Sequence, residues 1–290
     1  MPDQSISQKT VMGKILAVGI ATLDIINTVE HYPGEDDEVR ALAQSIQRGG
    51  NASNTLVLLS AMGHQCSWAG VLADDLYAAY IREDLVANGI QIDNAIEQID
   101  SASPLSCINL SRDSGNRSIV HYRDLREFSF SDFEHIDVHA YDWIHFEGRN
   151  VEQTGLMLRR LRDSEYQQPV SIEIEKPRQD LEQLFGYAAL LLFSKVFAHH
   201  AGFPEAPAVR RDMHVKYPDI EHYCAWGEDG AYALNHNGEL YHAPADRDID
   251  VIDTGGAGDV FNAGVIDEKI NKQDMQTGLQ PACNLAGRKC

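Results

Sequence analysis

Apolar residues along this chain gather into short runs separated by longer segments of helical period. Runs rich in β-branched and aromatic side chains predict strands at "KILAVGI" (14–20), "CSWAGV" (66–71), "YDWIHFEG" (141–148), "PVSIEIE" (169–175), "ALLLF" (189–193) and "HYCAWG" (222–227). Between them, apolar positions three and four apart predict helices at 52–62, 76–88, 151–161 and 178–186. Strands alternating with helices imply an α/β protein whose mostly parallel sheet is covered on both faces.

Two stretches break this rhythm. "DIINTVEHYP" running on to "EVRALAQSIQRGG" (24–50) and "LSCINLSRDSGNRSIVHYRD" (105–124) read as hairpins, the second turning at Ser114-Gly115-Asn116. A hairpin inserted into a parallel α/β fold does not readily join the main sheet. A small separate sheet lying as a lid over the carboxyl edge is the natural placement, and plain surface hairpins are the alternative. The expectation is one domain over 1–290 with lid insertions at about 24–50 and 104–126. Apolar alternation in "CINLS" and "SIVHY" could also clasp a second subunit, which predicts a homodimer through the lid.

Composition narrows the classes. The longest apolar run, "AALLLF" (188–193), is strand-sized, so no membrane span is expected. "MPDQSISQKT" is polar throughout and reads as a loose tail rather than a signal peptide. Five cysteines, at 66, 107, 224, 283 and 290, show no C-x-x-C and point to free thiols in a reducing cytoplasm. Forty-four acidic against 24 basic side chains leave a net charge of −20, which repels nucleic acid and anionic membranes. An anionic ligand would then depend on local cations and backbone dipoles.

Such dipoles are on offer in "VIDTGGAGDVFNAG" (251–264). Gly255, Gly256, Ala257 and Gly258 can turn consecutive N–H groups toward a ligand, and the apolar spacing of Val260, Phe261, Val265, Ile266 and Ile270 predicts a helix opening there. The stretch is neither G-x-x-x-x-G-K-[ST] nor G-x-G-x-x-G, since Phe261 stands where the last glycine would be. Asp259 is a carboxylate inside a phosphate cradle. It either caps the helix or accepts the proton of an attacking hydroxyl. "HFE" (145–147) lacks a following P-C-x-x-C, and no H-E-x-x-H occurs, so no transition-metal site is expected.

"DTGGAGDVFNAG", together with "RGGNASN" (48–54) about 200 residues earlier, resembles the two signatures of the ribokinase-like (phosphofructokinase B) sugar kinases. "GNRSIV" (115–120), "DWIHFEGRN" (142–150), "EIEKPRQDLEQLFGY" (173–187), "CAWGEDGA" (224–231) and "AGRKC" (286–290) are similar to the ketohexokinase branch, whose members phosphorylate fructose at O1. The resemblance implies a three-layer sandwich with a β lid, and a kinase using ATP and Mg2+. It makes Asp259 the base and Gly256, Ala257 and Gly258 the anion hole. Asp24, Asp36, Gly50, Asn51 and Asn54 correspond to sugar contacts. Arg117, Lys195, Gly227, Glu228, Asp229, Gly230 and Cys283 fall on the ATP side.

Two departures accompany it. "FSKVFAHH" (193–200) lacks the N-x-x-E motif, so the metal is expected mainly on ATP phosphates and water, with Glu173 and Glu175 as water-mediated candidates. The family's glycine-containing tail, beside its anion hole and a monovalent-cation site, is not seen past Cys290, which leaves activation by K+ an open expectation. Asp259 needs no raised pKa, because the hydroxyl proton can move late in a loose transition state. A kinase for ribose, a ketodeoxy-sugar acid or a nucleoside, and a silent sugar- or nucleotide-sensing homologue, remain the alternatives.

Overall fold

A computed structural model describes residues 11–246 and 255–289. The loose tail, the first part of the glycine-loop stretch (251–254) and Cys290 lie outside the described residues. Among those described, a nine-stranded sheet runs in the order 240–243, 231–234, 221–225, 190–193, 170–174, 143–147, 14–18, 65–69, 90–91. The first two pairings in this order are antiparallel and the rest parallel, so 231–234 alone runs against the others. From Lys14–Val18 the chain winds first toward 65–69 and later, in the other direction, toward 143–147. The order therefore reverses beside Lys14–Val18, where open α/β sheets place their ligands.

The strands are apolar runs because helices cover both faces. In Lys14–Val18, Ile15 and Ala17 enter one core with Leu56, Leu59, Trp68 and Phe261, while Leu16 and Val18 enter the other with Phe146, Leu158, Ile172 and Phe185. Alternation along a strand thus feeds two cores, each fully buried Leu or Phe contributing roughly 1.5–3 kcal/mol. Helices Asn51–Ala61, Ala257–Ile270 and Met275–Lys289 pack on the first side, and Val151–Asp163 on the second.

The two irregular stretches form a separate antiparallel and parallel sheet, in the order 43–49, 22–29, 102–111, 117–124. Both expected hairpins are present, their outer limits within three residues of the sequence limits.

Two boundaries differ from the pattern. The run 66–71 stops at Ala69, and Val71–Ala73 pairs instead with Ile96–Gln98. Gly70 makes the break, because a Cβ there would lie 2.1 Å from the Trp68 ring and 2.5 Å from the Gly19 carbonyl oxygen. The helix expected at 178–186 is a 3-10 segment, Leu181–Tyr187. Asp180 precedes it in left-handed backbone (φ 59°), which delays its start, and Gly186 near its end weakens a full α-turn.

Candidate active site

Asp259 stands in the first turn of Ala257–Ile270, whose N-cap Gly256 has φ 77°. Backbone N–H groups at a helix start have no intrahelical acceptor, so this turn offers donors and a partial positive charge. The Asp259 side chain is buried, yet Asn54 donates Nδ2–H to its Oδ2 at 2.7 Å. Asn54 is itself aligned by Arg48, whose Nη1 donates to Asn54 Oδ1 at 2.7 Å and to Ser53 Oγ at 2.7 Å. Arg48 is anchored in turn by Asp84, 2.6 Å from its Nε. A chain of charge-assisted bonds therefore holds the carboxylate in one orientation.

Asn54 and Asn51 share the Asn51–Ala61 helix, which starts at a tight crossing. Gly50 has φ 105°, and a Cβ there would lie 2.2 Å from the Ile20 carbonyl oxygen. At Gly49 a Cβ would lie 2.2 Å from Asp24 Oδ2, so the first signature brings Asp24 against its own backbone. Thr22 Oγ1 donates to Asp24 Oδ1 at 3.0 Å.

Buried carboxylates face this helix start. Glu147 Oε1 accepts the Ala52 N–H at 2.8 Å and the Ile20 N–H at 3.3 Å. Asn51 Nδ2 donates to Glu173 Oε1 at 3.1 Å, while the buried Glu173 Oε2 has no hydrogen-bond partner. Glu147 ends the strand beside Lys14–Val18 and Glu173 stands one residue from the end of the next strand, and an open pocket runs between them past Arg149 and Lys176. Burial pushes the carboxyls of Asp259 and Glu147 up to about 7. For Asp259, Glu147 and Glu175 add to that rise, against the Asn54 bond and Arg48. Burial and then the Asp259 charge hold Glu173 well above the carboxylate range. The sequence reading requires no raised pKa at Asp259; burial in the first turn of its helix, and then the neighbouring carboxylates, raise it.

A second group lies toward the antiparallel edge. Gly227–Asp229 forms a short 3-10 turn, and Gly230 (φ 84°) approaches so closely that a Cβ would lie 2.0 Å from the Ala243 carbonyl oxygen. Cys283, buried on Met275–Lys289, donates Sγ–H toward the same oxygen at 3.7 Å. Lys195 Nζ lies 5.7 Å from the Trp226 ring centroid, beside Gly227. Glu228 and Asp229 are exposed.

Not every candidate joins these groups. Asp36 is exposed in left-handed backbone (φ 66°) between the first two lid strands, and Arg117 is exposed where the last lid strand begins. Glu175, by contrast, is half-buried, pairs with Lys176 and lines the pocket with Glu147 and Glu173. Three further residues belong to the site and were not singled out in the sequence: Arg48, Asp84 and Glu147. Glu147 did carry a signal, since a carboxylate inside a buried strand run is costly unless it has partners.

The chain belongs to the pfkB family of carbohydrate kinases, whose family model matches residues 12–195 and 224–289. It is 40% identical over 285 residues to the ketohexokinase of Mus musculus, covering 96% of each chain. Among solved structures, the ribokinase of Cryptococcus neoformans var. grubii serotype A in complex with ADP has a TM-score of 0.79 at 18% identity, over 95% of this chain and 93% of that one. Arabidopsis thaliana ribokinase complexed with ribose and ATP gives 0.77 at 16% identity, over 96% and 92%. At these identities the two structures establish the ribokinase-like fold.

Proposed function

We propose that this protein is an ATP-dependent ketohexose kinase that transfers the γ-phosphoryl group of ATP to O1 of fructose. The observation that carries it is the buried Asp259 at a helix start, oriented by Asn54 of the glycine–asparagine signature. Near-full-length 40% identity to mouse ketohexokinase supports the substrate class.

In this reading Asp24, Asp36, Gly50, Asn51 and Asn54 hold the sugar hydroxyls, and the acceptor hydroxyl lies against Asp259, which takes its proton. The N–H groups of Gly256, Ala257 and Gly258 stabilise charge developing on the transferred phosphoryl oxygens. Arg117, Lys195, the 227–230 turn and Cys283 serve the nucleotide. The lone Oε2 of Glu173 is a hard oxygen donor suited to Mg2+ through water, with Glu175 beside it. When bound, the ion neutralises phosphate charge. A monovalent cation such as K+ near the loop, a cytoplasmic location and one catalytic unit with the lid as its insertion complete the reading. Among the described residues no helix is long and apolar enough to cross a membrane.

Steady-state assays with MgATP against fructose, ribose, tagatose and adenosine should give fructose the highest kcat/KM. Preference for another acceptor would keep the kinase and displace fructose. Saturable sugar binding without turnover would favour a sensing homologue.

The same reading includes a homodimer through the lid. One lid row, Ile46–Ile25–Cys107–Val120, carries apolar side chains, with Val120 73% and Ile46 47% exposed. Such a face seeks a partner. Val120→Asp is expected to shift the mass measured by light scattering from dimer to monomer, and a parent that is monomeric at micromolar concentration would refute this.

A further inference from the structure

The lid carries a polar row that the scheme above uses at only one position. Residues paired across neighbouring strands project to the same face of a sheet. The register sets Gln47 opposite Asp24, Asp24 opposite Ser106, and Ser106 opposite His121, so one row crosses all four lid strands. Asp24 in that row lies against Gly49, next to the Gly50–Asn51 entry of the site. At the other end, Ser106 is buried and its Oγ lies 3.3 Å from His121 Nδ1.

The charged groups acting on His121 come from several elements. Asp24 faces it across the lid and Arg123 shares its strand, while Arg149 and Lys176 reach it from the pocket between Glu147 and Glu173. The imidazole is exposed on the outermost strand of the row that holds Asp24, and Arg149 of that pocket is among the charges it feels. Desolvation, then Arg149 and Arg123, holds its pKa below the usual 6.5, so the ring is neutral near pH 7. With Nδ1 engaged by Ser106, Nε2 is the uncommitted polar atom, a donor or an acceptor according to the tautomer. A neutral imidazole nitrogen offers one hydrogen bond and no charge, and a hydroxyl, which can donate or accept, is the group it suits in either tautomer.

We infer that His121 is a specificity-determining residue whose Nε2 hydrogen-bonds a sugar hydroxyl at the end of the ligand turned away from Asp259. The identity of the ligand rests on the kinase reading; the contact itself does not need turnover. The test uses the full chain as parent, His121→Leu and His121→Asn, with affinity measured calorimetrically for fructose and its single-deoxy analogues, beside kinetics with MgATP.

His121→Leu should weaken fructose binding about tenfold, the scale of one neutral hydrogen bond, with the KM for ATP unchanged. His121→Asn should recover part of the loss. The analogue lacking the contacted hydroxyl should bind the parent about tenfold more weakly than fructose, and His121→Leu no more weakly than fructose. A histidine that only props the hairpin would lower affinity for every analogue by the same factor, and that result overturns the inference. Equal fructose affinity in parent and His121→Leu also overturns it. A parent that binds sugar without turning it over defeats the kinase reading alone, since the analogue comparison still reads the contact. A parent that binds none of them defeats both.

Discussion

Asp259→Asn is expected to lower kcat with MgATP and fructose by about 10²-fold or more, the scale on which removing a general base acts. Asn keeps the size of the side chain and an oxygen that can accept the Asn54 N–H, so the helix start and sugar affinity should persist. What it loses is the ability to take the hydroxyl proton. The pH profile sharpens the test. Because burial and then the neighbouring carboxylates raise Asp259 to about 7, the parent's kcat/KM should climb as pH rises through about 7 and then level off. The residual activity of Asp259→Asn should lack that limb. Stability moves the other way. The folded pKa lies above the ordinary 3.8, so the folded state holds more protons than the unfolded chain between about 4 and 7. The Asp259 contribution is therefore fully present below 3.8 and lost as pH rises toward 7. Denaturant unfolding should show a shallower decline over that window in the variant. Parent-like activity in Asp259→Asn would move the base elsewhere.

Gly50→Ala is expected to be a highly damaging single methyl addition on the sugar side of the site. Its backbone at φ 105° strains any other residue, at roughly 1–3 kcal/mol. The added Cβ would also lie 2.2 Å from a backbone oxygen that cannot rotate away. Relief requires moving the entry of the Asn51–Ala61 helix, and with it Asn51, Asn54 and the bond to Asp259. A loss of about 3 kcal/mol and a Tm lower by on the order of 5–10 °C follow, with a tenfold or greater rise in the sugar KM, since one displaced amide contact already costs about that. Gly63→Ala supplies the control. It shares the positive φ, 101°, but has nothing within 4 Å of the added Cβ, so it should cost only about 1 kcal/mol and leave KM alone. Parent-like KM and Tm in Gly50→Ala would mean that the crossing does not shape the site.

Much of the architecture was legible from local pattern. A strand covered on both faces must be apolar along its whole length, so the runs at 14–20, 141–148 and 169–175 announced themselves within a residue or two of their ends. Hairpin alternation likewise separated the lid from the main sheet. Where a single approach decided the outcome, the pattern misled: Trp68 and Gly19 end a strand at Gly70, and Asp180 turns an expected helix into a 3-10 segment.

The site divides along the same line. By itself the sequence determined the class of protein, the glycine loop with Asp259, and the glycine–asparagine stretch, because each is contiguous and its chemistry depends on neighbours in the chain. Tertiary structure alone decided the orientation of Asp259 through Asn54, Arg48 and Asp84, and the gathering of Glu147 and Glu173 at the strand ends. It also decided the rise of the Asp259 pKa to about 7. Those effects depend on distances between residues up to 205 apart in the chain and on how completely water is excluded from them, and neither quantity is written in any local stretch.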